Sequence, residues 1–406
     1  MRNASCVRIT QTSHAANQTA APGRNTPTVK LQRKNRLRAL SLGAVAVSGA
    51  LALPACGSDD TGSKSSATGG ATTGSASSIK CDNAKGQLLA DGSSAQKNAI
   101  DAWVKEFSAA CSGVQINYKG GGSGAGVTAF TQGQVAFAGS DSALKPEEIT
   151  ASKKMCTGGG QGIDLPMVGG PIAVGFNVPG VDKLVLNAST VAKIFDSKIS
   201  KWNDPAIAKL NPGVKLPDLK IQAFHRSDES GTTDNFTKYL IAAAPADWKY
   251  SGGKAWQAKG GQSAPQSSGV AQQVKQTAGA IGYMELSFAK DGIKAASIDT
   301  GASAPVDATV ENATKAIADA KVIGTGKDLA LKLNRATKAD GAYPITLVTY
   351  EIVCDKGNKS DSLAATKAFL TYIASEDGQK VLSSIDYAPI PADIIAKVRT
   401  TIAGLS

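Results

Sequence analysis

Histidine is nearly missing from this chain: 406 residues contain two, His14 and His225. That scarcity argues against a zinc centre and against a serine nucleophile with a matched histidine base. Aromatic residues make up 5% and form no basic-aromatic patch, so nothing points to a nucleic-acid surface. The apolar run from Ala39 to Leu53 is too short and too rich in small residues for a comfortable membrane span. P-loop and dinucleotide fingerprints are absent as well. The glycine-rich segment near residue 120 lacks a following Gly-Lys-Ser/Thr and a correctly placed acidic partner.

The N-terminus carries its own signal. A basic cluster, Arg33-Lys34-Asn35-Arg36-Leu37-Arg38, precedes the apolar run, and Leu53-Pro54-Ala55-Cys56 follows it. Small residues directly before a cysteine suit a lipoprotein cleavage box. Residues 1–55 are therefore expected to be a leader and Cys56 a lipidated N-terminus, with 1–28 upstream of the true start. The leader holds eight Lys and Arg and no acidic residue, whereas the whole chain has 44 basic and 33 acidic residues. Removing it leaves 36 basic residues and a formal charge of +3, so the high overall pI mostly describes the leader.

Residues 56–79 are rich in Gly, Ser, Thr, Ala and Asp without apolar periodicity, which reads as a flexible tether. From Lys80 to Ser406 amphipathic helical patterns alternate with short apolar strands, favouring α/β layers. One helix is expected over Ala95–Ala110, with Ile100, Trp103, Val104 and Phe107 on one face. Others are expected near Ser189–Phe195, Thr233–Ala243, Ser267–Thr277, Asp361–Ile373 and Gly378–Ser384. Strands are expected at Gln87–Ala90, Val114–Tyr118, Val135–Ala138, Ile172–Asn177, Leu219–Phe224, Ile281–Met284 and Ile345–Cys354.

Three strand-to-helix segments carry chemistry. In His225-Arg226-Ser227-Asp228-Glu229-Ser230-Gly231-Thr232-Thr233-Asp234, an arginine, a carboxylate, hydroxyls and a glycine sit where a helix begins. Helix starts offer unpaired N–H groups and partial positive charge, and a guanidinium fork matches a tetrahedral oxyanion. Tyr118-Lys119-Gly120-Gly121-Gly122-Ser123-Gly124-Ala125-Gly126-Val127 lets backbone amides approach an anion, with Ser123 as cap or donor. Phe137-Ala138-Gly139-Ser140-Asp141-Ser142 places Asp141 just past a strand.

In this order the three segments resemble the phosphate-binding lipoproteins of bacterial phosphate ABC importers. Ile199-Ser200-Lys201-Trp202-Asn203-Asp204, Gly279-Ala280-Ile281-Gly282-Tyr283 and Tyr343-Pro344-Ile345-Thr346 extend the likeness over almost the whole body. The resemblance implies a two-lobed α/β fold of the periplasmic-binding-protein, type II Venus-flytrap kind, with mixed sheets flanked by helices and the ligand between lobes. It implies one lobe from 80–167 plus 344–406 and the other from 168–343. It implies Arg226, Ser230, Gly231 and Thr232 as phosphate contacts from one lobe, and Ser123 and Asp141 from the other. Asp228 matches the carboxylate that orients the arginine, and alignment on Trp103 adds Ser94 and Ala95.

The expected function is capture of inorganic phosphate outside the cytoplasm and delivery to an ABC permease, by a monomer held to the membrane through Cys56. No cofactor, metal or enzyme activity is expected. The alternatives are a binder of sulfate or molybdate, or an exported phosphatase built on the same anion site. Of six cysteines, Cys6 falls in the leader and Cys56 is the lipid site. Cys81, Cys111, Cys156 and Cys354 then allow two disulfides in three pairings. Cys81 with Cys111 and Cys156 with Cys354 is the expected arrangement. His225, Trp202, Trp248 and Trp256 are read as packing residues.

Overall fold

The computed structural model describes residues 79–406; the leader, Cys6, Cys56 and residues 57–78 lie outside the described residues. The alternation of patterns becomes one mixed nine-stranded sheet among the described residues. Its order runs Val114–Tyr118, Gly86–Gly92, Phe137–Ser140, Thr346–Cys354, Gly162–Asn177, Ala280–Glu285, Gln222–Arg226 and Gln262–Ala264. Lys294–Ala295 pairs additionally with Gly162–Asn177. The strands at each end of this order run parallel to their neighbours, joined through helices. The central ones are antiparallel.

The 16-residue strand Gly162–Asn177 joins the two halves of the sheet. Its residues up to Pro171 pair with Thr346–Cys354, and Ile172 onward pairs with Ala280–Glu285. Sequence pattern marks only Ile172–Asn177, because Pro166, Gly169, Gly170 and Pro171 read as strand breakers. Gly169 and Gly170 pair in register with Val348 and Leu347, and the two prolines sit where pairing is irregular. The register shifts between Thr349 and Tyr350, opposite Pro166 and Val168, and Pro171 sits where the strand changes partners. Burial on both faces explains why it reads as nearly continuous rather than alternating.

Two principal cores lie on the two halves. One gathers Leu88, Ile100, Trp103, Phe107, Phe137, Leu165, Val348 and Phe369, with Ala313, Ile317 and Leu331. The other gathers Ile172, Val174, Phe176, Trp202, Phe236, Tyr283 and Tyr343. The first helix, Lys97–Ala110, buries Ile100, Trp103 and Phe107 as its periodicity requires, and the Trp103 indole donates to the Gly378 carbonyl at 2.8 Å. Helices Pro146–Ser152, Pro205–Leu210, Val310–Ala318 and Ala392–Ala403 are additional to those the sequence pattern marks. The strand expected at Leu219–Phe224 forms instead at Gln222–Arg226, so Arg226 closes the strand rather than following it. Disulfides join Cys81 to Cys111 and Cys156 to Cys354, both in the first half.

Candidate functional site

Helices beginning at Ser123, Gly231 and Gln266, together with the turn into the Lys97 helix, start beside one another at the junction of the two halves. Their first N–H groups have no partner within the helix, so this junction is rich in donors and partial positive charge. The Ser123 hydroxyl ties the halves together by accepting from the Asp141 and Gly231 amides, each at 3.1 Å. The Gly124 amide crosses to the Glu229 carbonyl at 2.9 Å. Such proximity demands glycine. Gly122 has φ +105°, and a β-carbon there would lie 2.5 Å from an Asp228 carboxylate oxygen. One at Gly231 would lie 2.6 Å from both Ser123 Oγ and Asp141 Cβ.

Arg226 ends its strand with only 2% of its surface exposed. Its Nε and Nη2 grip Asp228 at 2.8 and 2.5 Å, and Nη1 points to Ser267 Oγ at 3.4 Å. Asp228 also accepts from the Gln266 amide at 2.9 Å. Burial alone would raise the Asp228 pKa, but the Arg226 hydrogen bonds and charge prevail and hold it low. The guanidinium is thus fixed in orientation by a carboxylate that Arg226 itself keeps in its charged form. Ser94 joins from the other half: its hydroxyl accepts from the Ser267 amide at 3.0 Å and lies 3.3 Å from Ser267 Oγ.

Asp141 is the second carboxylate at the junction and, unlike the half-buried Asp228, it is buried. It accepts from Thr349 Oγ1 at 2.8 Å and from Thr232 Oγ1 at 3.1 Å. Burial raises its pKa. Ser93, Thr349, Thr232 and the Arg226 charge pull the other way without cancelling it. Below it lies Glu351, fully buried on the strand Thr346–Cys354. Its oxygens accept no well-formed hydrogen bond, although Gln96 lies against them. Burial foremost, with the Asp141 charge, pushes Glu351 up to about 8.

The structure therefore gathers the predicted residues into two adjoining hydrogen-bonded groups, Ser94 with Arg226 and Asp228, and Ser123 with Asp141, Gly231 and Thr232, the Arg226 charge acting on Asp141 between them. Ser230 stands at their edge as the N-cap of the Gly231 helix, accepting from the Thr233 amide at 3.2 Å. The Ala95 amide donates to Ser93 Oγ at 3.0 Å, and its side chain packs in the second core. His225 stacks on Trp256 with ring centres 4.8 Å apart, and burial lowers its pKa. Trp202 and Trp248 are buried. Ser267 and Thr349 hydrogen-bond within these groups and Glu351 adjoins Asp141; none of the three is marked by the sequence motifs. For Ser267 a signal existed: Ala264-Pro265-Gln266-Ser267-Ser268 is a further strand-to-helix turn carrying hydroxyls.

The architecture and this junction define a class of protein. The family model described as a PBP superfamily domain matches residues 65–377. The phosphate-binding protein PstS 3 of Mycobacterium tuberculosis is 42% identical over 368 residues, covering 89% of this chain and 97% of that protein. PstS 2 of the same organism is 39% identical over 363 residues, covering 88% and 96%. The chain belongs to the PBP superfamily and, within it, to the family of these PstS phosphate-binding proteins. A high-affinity periplasmic phosphate-binding protein solved with phosphate shares the fold, with TM-score 0.63 and 22% identity over 77% of this chain and 93% of that one. So does a phosphate-binding protein from Stenotrophomonas maltophilia, with TM-score 0.62 and 19% identity over 79% and 96%.

Proposed function

We propose that this chain captures inorganic phosphate at the junction of its two halves and delivers it to an ABC permease without chemistry of its own. The observation that carries the reading is the pairing of a buried, carboxylate-oriented Arg226 with a buried Asp141 among converging helix starts. Helix starts and Arg226 attract an oxyanion. Asp141 demands a particular one. Phosphate near neutral pH retains a proton to donate to a carboxylate, whereas sulfate has none and is repelled. Ser94, Ala95, Ser123, Ser230, Gly231 and Thr232 complete the contact set in this reading, and Asp228 orients the arginine. The family's named phosphate binders support it.

The lobes in this reading are 80–167 with 344–406, and 168–343. Two separate principal cores favour that division, with the Val310–Ala318 helix, Leu329 and Leu331 packing on the first and Ala95, Ile345 and Leu347 on the second. The protein is assigned to the extracytoplasmic face as a monomer anchored through Cys56, a placement with which two disulfides agree. Calorimetric titration of the purified protein with phosphate, sulfate and arsenate tests the function. Phosphate is expected to bind at micromolar affinity or tighter, about −8 kcal/mol or more favourable. Arsenate, which is also protonated, should follow it and sulfate should fail. No turnover of a chromogenic phosphate ester is expected, with or without divalent metal. Equal binding of sulfate and phosphate would refute the reading.

A further inference from the structure

Behind the cradle lies a second guanidinium, that of Arg335. Its Nη1 donates to the Thr346 carbonyl at 2.9 Å, and its Nη2 donates to the Asn235 side-chain oxygen. Asn235 is 3% exposed and sits one turn beyond Gly231 on the same helix. Its amide nitrogen donates to two carbonyls, that of Asp141 at 2.7 Å and that of Gly231 at 2.8 Å. These are the two residues whose amides share Ser123 Oγ. Asp141 and Gly231 are thus tied twice, through their N–H groups to Ser123 and through their carbonyls to Asn235.

Donor chemistry fixes how Asn235 must point. A guanidinium offers only donors and a carbonyl only acceptors, so the amide oxygen faces Arg335 and the nitrogen faces the carbonyls. The opposite orientation would set donor against donor and oxygen against oxygen. Lysine cannot reproduce this, because reaching both Asn235 and Thr346 takes the rigid fork. Burial lowers the Arg335 pKa to about 10, which leaves the group charged at neutral pH.

We propose that Arg335 is a positioning residue of the anion site, which through Asn235 clamps Asp141 against Gly231 and slows reopening of the cradle. The slowed reopening rests on the phosphate reading above; the clamp itself does not. The test uses the full chain and the substitutions Arg335→Lys, Arg335→Gln and Asn235→Asp. Stopped-flow fluorescence follows phosphate release, and amide hydrogen exchange is measured without ligand. Both Arg335 variants should release phosphate about tenfold faster with association unchanged, the scale of one lost charged hydrogen bond. Exchange at the Asp141 and Gly231 amides should accelerate, while the distal part of the Gly231 helix keeps its protection. Asn235→Asp should lose more, because it sets a carboxylate oxygen against two carbonyls.

Wild-type release kinetics in Arg335→Lys would show that charge rather than the fork acts, and would overturn the proposal. Loss of protection along the whole helix would show a merely structural role and overturn it too. A wild type that fails to bind phosphate would sink the function above, and the exchange measurements would still decide the clamp.

Discussion

Replacing Asp141 with asparagine isolates the selectivity mechanism. The exchange keeps shape, and its neighbours tolerate it: of the Thr232 and Thr349 hydroxyls that donate to the carboxylate, one can go on donating to the amide oxygen and the other can turn and accept from the amide nitrogen. What changes is the charge beside the ligand. Asp141 is 3% exposed, so water does little to screen it. Two unit charges ~4 Å apart interact by ~4 kcal/mol at an effective dielectric constant of about 20. That is the ceiling for the penalty sulfate escapes in the variant. A floor of ~1.4 kcal/mol corresponds to a tenfold change. The phosphate-to-sulfate affinity ratio should therefore fall by about ten- to a thousandfold in Asp141→Asn. Phosphate affinity itself should move less, since a lost hydrogen bond is offset by weaker repulsion of the dianion. Calorimetry with both anions gives the ratio, and melting of the ligand-free proteins checks that the fold is intact. If the variant discriminates against sulfate as well as the wild type does, another residue reads the proton.

Arg226→Ala should weaken phosphate binding by ~2–4 kcal/mol, because the anion is left buried without its fork. It also strands Asp228, so the melting temperature of the ligand-free variant must be compared; binding within twofold of wild type would remove Arg226 from the site. Glu351 gives a pH prediction. Its folded pKa, near 8, lies above the ~4.3 of an unfolded glutamate, so the native state holds an extra proton between those values. Stability from this group is full below about pH 4 and is lost as pH rises toward 8, at no more than ~1.4 kcal/mol per unit. Glu351→Gln should remove that slope in melting curves taken at pH 5, 7 and 9; parallel curves for wild type and variant would contradict it. Cys56→Ser should release the protein from the membrane fraction or leave it unprocessed, and an acylated, detergent-soluble product would refute the anchor.

Much of this molecule is legible locally. Helix Lys97–Ala110 follows from the spacing of Ile100, Trp103 and Phe107, and the turns at Gly120–Ser123 and Asp228–Gly231 from glycines, hydroxyls and a carboxylate beside apolar runs. Those signals act within about one helical turn, so a linear sequence contains them. The types of group available to an anion were fixed at that level: one arginine, a partner carboxylate, and hydroxyls at helix starts. Which groups meet was decided by packing. Ser94 reaches Ser267 across 173 positions, and Asp141 reaches Thr349 across 208. Pro166, Gly169, Gly170 and Pro171 disguise a strand that bulges and changes partners. The double tie of Asp141 to Gly231 through Ser123 and Asn235 has no signature in any window of the chain, because each bond depends on where two separately formed halves come to rest.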